Sequence, residues 1–349
     1  MVDPDNTHAV TVATLEVIGL IGNLLPDRLF AFLRAGSDIE RRANVLAANG
    51  VAVALLNVEP RLTAAERNAL VAATRGSVVS TLRALKASSA VSDSLTAAGV
   101  QHVLLKGSEL SLGWDLGWAD ARSRMFVDVD ILAAPEDVPR VTSVLAKELG
   151  AVPGPSSVGQ LVIGLQGSAA VDLHWLLVND TSWVDQFRLD TRTVLNSYVD
   201  WCGPVGRLQP EFLLLHAVVH GILSDLSRPS VLMDIDGAAR NPALDWSRLT
   251  ELVETHGLSL PLSVALTATS KWLATPVPPA FIRQVMPRSP WLAICQFAQK
   301  RDPAVHLDSG WSGGELFRLT RDSTRTSLAA LVRAIPLELR VQQRLHRGR

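Results

Sequence analysis

Three acidic residues inside two apolar runs constrain the fold of this chain most strongly. Asp128 and Asp130 alternate with branched apolar residues in Val127–Ile131, and Asp172 lies in a second apolar run, Ala169–Leu173. A strand places residues i and i+2 on one face, so the first two acids point the same way and Asp172 can join them from a neighbouring strand. Carboxylates gathered among apolar side chains repel one another unless a cation lies between them. Mg²⁺ suits an all-oxygen site and accompanies nucleotide phosphates, so the pattern predicts a metal-dependent site for a nucleoside triphosphate.

The acids belong to a segment whose pattern indicates a small α/β unit. Its predicted elements are a buried strand over 100–105, a helix starting near 109, an acid-bearing strand over 124–132, a helix over 135–149, a loop over 150–157, and a strand pair over 160–166 and 169–176.

The flanking regions have helical periodicity. Residues 8–98 are rich in Ala and Leu, and Thr63 with Glu66 forms a capping-box pattern. From residue 183 onward the pattern is again helical, with helix starts at Pro210, Asp245 and Pro261. We therefore expect an α+β protein with a small mixed-sheet core (99–180) between a helical N-terminal region (1–98) and a helical C-terminal region (181–349).

Transfer of a phosphoryl or nucleotidyl group requires neutralised phosphate oxygens and an attacking oxygen held in line. Two Mg²⁺ ions supply both, and we expect Asp128, Asp130 and Asp172 to bind them, with Asp172 also able to take the proton of the acceptor hydroxyl. The residues expected to contact the nucleotide phosphates are Lys106, Gly107, Ser108 and Arg124.

In these motifs the chain resembles the bacterial polymerase-β-like nucleotidyltransferases, and within them the type-5 NTP transferase group. The matching motifs are Leu105-Lys106-Gly107, Arg124 before Asp128-Val129-Asp130-Ile131, Asp172-Leu173-His174-Trp175, the His-rich helix around His216, and Leu232-Met233-Asp234-Ile235. The resemblance spans roughly residues 95–280. It implies a polymerase-β-like fold, NTP binding, two Mg²⁺ ions, and NMP transfer to a hydroxyl or amine of a small molecule, peptide or other acceptor with release of pyrophosphate.

Four further polar residues have alternative interpretations. His216 and His220 are four apart on one helix face, which fits packing, contact with the nucleotide or acceptor, or zinc binding. His174 either orients Asp172 or is simply buried. Asp234 either shapes the acceptor side of the cleft or belongs to a helix end closed by Gly237.

Composition narrows the classes of partner. The net charge of −1 argues against a general nucleic-acid binder, although eight arginines against two acids after residue 317 leave an RNA or carrier contact open beside a solvated helix. Two distant cysteines and an acidic N-terminus favour a cytoplasmic protein without a signal peptide or membrane span. The alternatives to an active transferase are a non-catalytic nucleotide-binding protein and a toxin-like modifier of RNA or protein.

Overall fold

The computed structural model describes residues 24–35, 37–58, 62–111, 124–177, 190–224, 226 and 228–285. The predicted segment 115–123 and the arginine-rich tail lie outside these residues. The described helices are α1 (Leu24–Arg34), α2 (Ile39–Ala48), α3 (Ala52–Val58), α4 (Ala64–Ala97), α5 (Lys106–Ser111), α6 (Val138–Leu149), α7 (Thr191–Ser197), α8 (Pro210–Leu223), α9 (Pro229–Ala239), α10 (Trp246–His256), α11 (Ser259–Leu273) and α12 (Pro279–Val285).

One mixed sheet of seven strands crosses the described part of the chain, in the order β3-β4-β5-β2-β1-β7-β6. The strands are β1 (His102–Leu105), β2 (Val129–Leu132), β3 (Val152–Ser157), β4 (Gln160–Gly164), β5 (Val171–His174), β6 (Val199–Cys202) and β7 (Val205–Leu208). The central strand β2 is parallel to β5 and antiparallel to β1, and β1 is parallel to β7. With helices around this sheet the protein is α+β, as predicted.

Successive side chains of the central strands point to opposite faces of the sheet and therefore contribute to two different hydrophobic clusters. Val103 and Leu105 belong to the larger hydrophobic cluster, which includes the C-terminal helices, whereas Leu104 belongs to the cluster formed with α4 and α6. Likewise Leu132 contributes to the first cluster and Ile131 to the second. Asp130 shares the face of Leu132, because residues i and i+2 point the same way, so the acids face the C-terminal helices.

The larger cluster also joins the two ends of the described chain. It combines residues of α1–α3 with residues of α8–α12. The first helices are further attached to α4, because Arg34 contacts Glu66, the residue that completes the predicted capping box with Thr63. The hydrogen bonds from Arg34 lower the pKa of Glu66 to about 2. The boundaries 1–98, 99–180 and 181–349 stay a prediction.

Several predicted elements are confirmed. The helix over 135–149 begins with a short 3-10 turn at Pro135–Asp137 and continues as α6. The strand pair around Gly167 is present as β4 and β5, which are antiparallel. Helix starts at Pro210 and after Asp245 are also present, and the Asp245 side chain caps α10.

Two strand regions were predicted wrongly. Residues 150–157 were expected to form a loop. Val152–Ser157 is instead a fully exposed edge strand with a bulge, and Pro153 and Pro155 are tolerated there because an edge strand has backbone groups that need no partner. The region after residue 183 was expected to be entirely helical, yet β6 and β7 form a hairpin that extends the sheet beside β1. Each strand of that hairpin has four residues, too few for alternation to stand out.

Smaller differences concern the ends of elements. Strand β2 begins at Val129, so Asp128 directly precedes the strand. Helix α5 begins at Lys106, three residues before the predicted start. Helix α9 continues through Gly237 to Ala239, so Gly237 does not close it, and α11 begins at Ser259 with Pro261 in its first turn, where proline is compatible with a helix.

Candidate active site

Asp130 and Asp172 lie directly opposite each other on neighbouring strands. The parallel register of β2 and β5 pairs these two residues, and Asp128 precedes Asp130 by two positions. Asp130 is buried, whereas Asp128 and Asp172 are partly exposed. The register of two adjacent strands therefore brings together two of the three predicted acids, Asp130 and Asp172.

Asp130 is held by two nitrogen donors at the same oxygen. Its Oδ1 atom is 2.5 Å from Lys106 Nζ and 2.8 Å from His174 Nε2. Burial of Asp130 raises its pKa, but the hydrogen bond from His174 and the nearby ammonium of Lys106 outweigh it and hold the pKa below the ordinary value for aspartate. Asp130 is therefore ionised at neutral pH without any further cation.

Lys106 reaches Asp130 through a sharp turn at the end of β1. Leu105, the last residue of β1, pairs with Asp130 across the antiparallel register, so the next residue starts close to that carboxylate. Lys106 has a φ of 50°, in the left-handed region that non-glycine residues seldom occupy. Such strain persists where the surrounding contacts maintain it, and here the ion pair with Asp130 is one of them.

Asp172 is oriented by Gln160, a residue that the sequence patterns did not single out. The Nε2 atom of Gln160 donates a hydrogen bond of 2.8 Å to Asp172 Oδ2 across β4 and β5. The partners are diagonal neighbours, because Gln160 is opposite His174 in the register. Alternation along β4 would place Gln160 on one face with Val162, but no motif marks it as functional.

The three carboxylates influence one another electrostatically. Burial and the charge of Asp130 raise the pKa of Asp128, and the same two causes, in the same order, raise the pKa of Asp172. Asp172 also contributes to the raised pKa of Asp128. All three charges therefore act within one site, and a cation there would relieve their repulsion.

The donor set fits a divalent metal ion. Ligand atoms of Asp130, Asp172 and His174 lie within 4.8 Å of one another, and Asp130 Oδ2 and Asp172 Oδ1 have no hydrogen-bond partner among the described residues. The predicted set contained Asp128 in place of His174. Carboxylate oxygens suit Mg²⁺ or Mn²⁺, whereas an imidazole ligand favours softer metals, and His174 Nε2 here binds Asp130.

Arg124 connects the acid-bearing strand to a helix that is distant in sequence. Its guanidinium makes a two-pronged contact with Asp234 on α9, with Nε 2.6 Å from Oδ1 and Nη2 2.9 Å from Oδ2. Burial lowers the pKa of Arg124, but the carboxylate of Asp234 and the charges of Asp128 and Asp130 more than offset this, so the pKa is raised. Arg124 thus binds Asp234 and is close enough to Asp128 and Asp130 for their charges to act on it, and its predicted contact with phosphate stays a prediction.

His216 and His220 face the site from α8. Burial, followed by the charge of Lys106, lowers the pKa of each to about 3, so both imidazoles are neutral at pH 7. Neither imidazole forms a hydrogen bond with another described residue, and neither belongs to a group of three metal-ligating side chains in the described part of the chain. The structure therefore gives the zinc interpretation no third ligand.

Gly107 and Ser108 have packing contacts that the sequence did not reveal. A Cβ added to Gly107 would lie 2.6 Å from Cβ of Phe126, so this position has no room for a side chain. The Ser108 hydroxyl is buried and 3.0 Å from the hydroxyl of Ser88 on α4. The predicted roles of both residues in phosphate binding stay predictions.

Two adjacent strands of the seven-stranded mixed sheet thus bring Asp130 and Asp172 together. The model of a protein family described as "Uncharacterised nucleotidyltransferase" matches residues 38–274, about two thirds of the chain. The chain belongs to this family, which confirms the predicted type-5 NTP transferase resemblance. No curated protein and no solved structure matches this chain significantly. None of the described helices is both long enough and apolar enough to cross a bilayer.

Proposed function

We propose that this protein transfers an NMP group from an NTP to a hydroxyl or amine of an acceptor, with Mg²⁺ as cofactor and pyrophosphate as the second product. The observation that supports this most directly is the register that sets Asp130 against Asp172, with Asp128 two residues away. Membership of the nucleotidyltransferase family supports the transfer of a nucleotidyl group. Small molecules and peptides are the favoured acceptors, and the cytoplasm is the favoured location.

Asp128, Asp130 and Asp172 would hold the metal ions. Bound Mg²⁺ would neutralise charge on the phosphate oxygens and favour the deprotonated acceptor. The acceptor oxygen or nitrogen attacks the α-phosphorus, the bond from that phosphorus to the bridging oxygen breaks, and pyrophosphate leaves. Asp172 is also assigned the proton of the acceptor, because its carboxylate lies at the same site and is partly exposed.

Other side chains of the site would bind and position the substrates. Lys106 is a compact positive charge beside Asp130 and can move to a phosphate oxygen when the metal arrives. Arg124 keeps N–H groups beyond those bound to Asp234. The neutral imidazoles of His216 and His220 can donate or accept a hydrogen bond and are assigned to the acceptor side of the cleft.

The proposal is tested by comparing Mg²⁺-dependent labelling of acceptors by the protein and by variants of its three acids. Each of the four α-³²P-labelled NTPs is incubated with the protein, Mg²⁺ and a cell extract as the acceptor source, and labelled adducts and pyrophosphate are measured. We expect D128N, D130N and D172N each to reduce both signals to the level without enzyme, because each removes a carboxylate from the metal site. Glu148→Gln, on the exposed end of α6, is the matched control and should retain full activity.

Two outcomes would contradict the proposal. Labelling that persists in D130N would remove Asp130 from the reaction. Appearance of NDP without pyrophosphate would place the transfer at the γ-phosphate instead.

A second candidate, a nucleotide-binding protein without turnover, is favoured by one specific observation. Asp130 already has the ammonium of Lys106 and the N–H of His174 at one oxygen, so its charge is compensated without metal. Calorimetry with each NTP and Mg²⁺ distinguishes the two candidates. Binding of an NTP with no pyrophosphate released under any acceptor condition supports this second candidate.

A further inference from the structure

A cavity whose lining contains none of the three acids lies between α4 and the β1–β7 side of the sheet. Its volume is about 180 Å³, enough for about six water molecules. Leu104, Val205 and Gly206 supply apolar wall, while three serines of α4 supply hydroxyl groups. Glu109 of α5, Asp93 of α4 and Arg207 of β7 supply charged groups. The cavity therefore combines an apolar wall with several polar atoms.

Glu109 is a buried carboxyl group with incomplete hydrogen bonding. The residue is 5% exposed, and its Oε1 atom accepts a hydrogen bond of 3.2 Å from the backbone N–H of Leu208. Its Oε2 atom is buried without a hydrogen-bond partner among the described residues. An unpaired buried carboxyl oxygen is costly, so a bound donor would stabilise this arrangement.

The hydroxyl protons of the three serines are already committed to acceptors in the protein. Ser89 donates to Asp93, and Ser92 donates to His102 Nε2, because His102 Nδ1 donates to the carbonyl of Val100. Burial lowers the pKa of His102, so the neutral ring is favoured.

The hydroxyl proton of Ser88, the remaining serine, is also committed to an acceptor in the protein. Ser88 directs its proton to the carbonyl of Ala84 or to the hydroxyl of Ser108. The oxygens of Ser89 and Ser92 therefore remain as acceptors beside the two carboxyl groups, whereas Ser88 is fully buried and the guanidinium of Arg207 is the cationic donor of the cavity.

We propose that this cavity binds a small aliphatic primary ammonium group, which donates to Glu109 and the serine oxygens while its alkyl part contacts Leu104 and Val205. A primary ammonium has three N–H donors and a positive charge. These match the hydroxyl acceptors and the two acids, whose charges together exceed that of Arg207 once Glu109 is ionised. The short alkyl chain matches the apolar wall. The site is separate from the acids of β2 and β5, and its existence does not depend on nucleotidyl transfer.

The charge state of Glu109 makes this binding depend on pH. Burial raises the pKa of Glu109 to about 8, although the N–H of Leu208 and the charge of Arg207 oppose the rise. The other titratable groups of the cavity are Asp93 on α4 and His102 on β1, which contacts Ser92. An ammonium ion binds the ionised carboxylate, so binding below pH 8 releases a proton and tightens by up to about tenfold per pH unit as the pH rises towards 8.

The test measures binding of propylammonium chloride to the full chain by calorimetry and by thermal shift. We expect saturable binding and release of a proton at pH 7, which is detected as a binding enthalpy that changes with the ionisation enthalpy of the buffer. We expect no binding of 1-propanol or of tetramethylammonium, which has no N–H donor. Glu109→Gln should weaken binding about tenfold or more, because it removes the carboxylate at nearly unchanged shape. Asp93→Asn, at an exposed position, should weaken binding without affecting the fold.

Specific results would overturn the proposal. These are the absence of saturable binding, binding of 1-propanol or tetramethylammonium as tight as that of propylammonium, or an unchanged affinity in both the Asp93→Asn and the Glu109→Gln variant. Because none of these readouts involves an NTP, failure here and failure of the nucleotidyl-transfer assay are distinguishable.

Discussion

Gln160 positions a carboxylate of the site without taking part in the proposed chemistry itself. It donates to Asp172 but is not itself one of the converging acids. We predict that Gln160→Leu lowers kcat of the proposed transfer by about 10- to 100-fold, because partners that orient ligating carboxylates commonly contribute that much. The KM for the NTP should change little. Burial and the charge of Asp130 raise the pKa of Asp172 and the hydrogen bond from Gln160 opposes that rise, so its loss should move the acidic limb of the pH profile to higher pH.

A matched control for this prediction lies in the same part of the chain. Gln166 is exposed in the turn that follows β4, so Gln166→Leu makes the same chemical change away from Asp172. Steady-state kinetics should show the lower kcat in Gln160→Leu and an unchanged kcat in Gln166→Leu. Equal effects of the two substitutions would show that Gln160 has no positioning role.

At the residue scale, the alternation of apolar and polar residues predicted which face the acids share but not which residues contact them. The spacing of Asp128 and Asp130 placed them on one face, and the structure pairs Asp130 with Asp172. The contact of Lys106 with Asp130 depends on the turn after β1, and that of Gln160 on the register of β4. Neither is encoded by spacing, because register is set by pairing between distant segments.

At the element scale, two glycines give opposite predictions for the same substitution. Gly107 in α5 faces Phe126, whose Cβ would be 2.6 Å from a new Cβ, so Gly107→Ala should destabilise the protein by about 1–3 kcal/mol. Gly76 in α4 has no atom within 4 Å of a new Cβ, so Gly76→Ala should stabilise it by up to about 1 kcal/mol. Urea unfolding of both variants measures the two effects. Similar values for the two would contradict the packing inferred for α5.

Whether an element was predictable depended on its length and its exposure. Helix α4, with 34 residues and a capping box, was anticipated from periodicity and the cap. The edge strand β3 and the hairpin β6–β7 were not, because an exposed or four-residue strand leaves little hydrophobic alternation. These elements are strands because neighbours in the sheet accept and donate their backbone hydrogen bonds.

At the scale of the whole molecule, the Arg124–Asp234 pair joins residues 110 positions apart. Both side chains are largely buried, at 15% and 8% exposure. We predict that Asp234→Ala costs about 3–5 kcal/mol, because the guanidinium stays buried but loses its two-pronged carboxylate partner and keeps only the carbonyl of Met125. The double variant Arg124→Met/Asp234→Leu should lose much less stability than the sum of the single changes.

The control for this pair is an exposed ion pair. Arg192 and Glu136 are 67% and 49% exposed, and Glu136→Ala should cost less than about 1 kcal/mol. Chemical denaturation of the variants gives each free energy of unfolding. Additive effects of the two changes at Arg124 and Asp234 would contradict a coupled buried pair.

Local patterns were sufficient to predict the buried central strands, the long helices and the shared face of Asp128 and Asp130, since a side chain's face follows from the two- or 3.6-residue period of its own segment. They also supported the nucleotidyltransferase family, whose motifs are short and contiguous. The order of the seven strands, the donors around Asp130 and Asp172, and the cavity at Glu109 depended on which distant segments pack together. Those contacts arise from long-range pairing and the filling of the core, which no local period records.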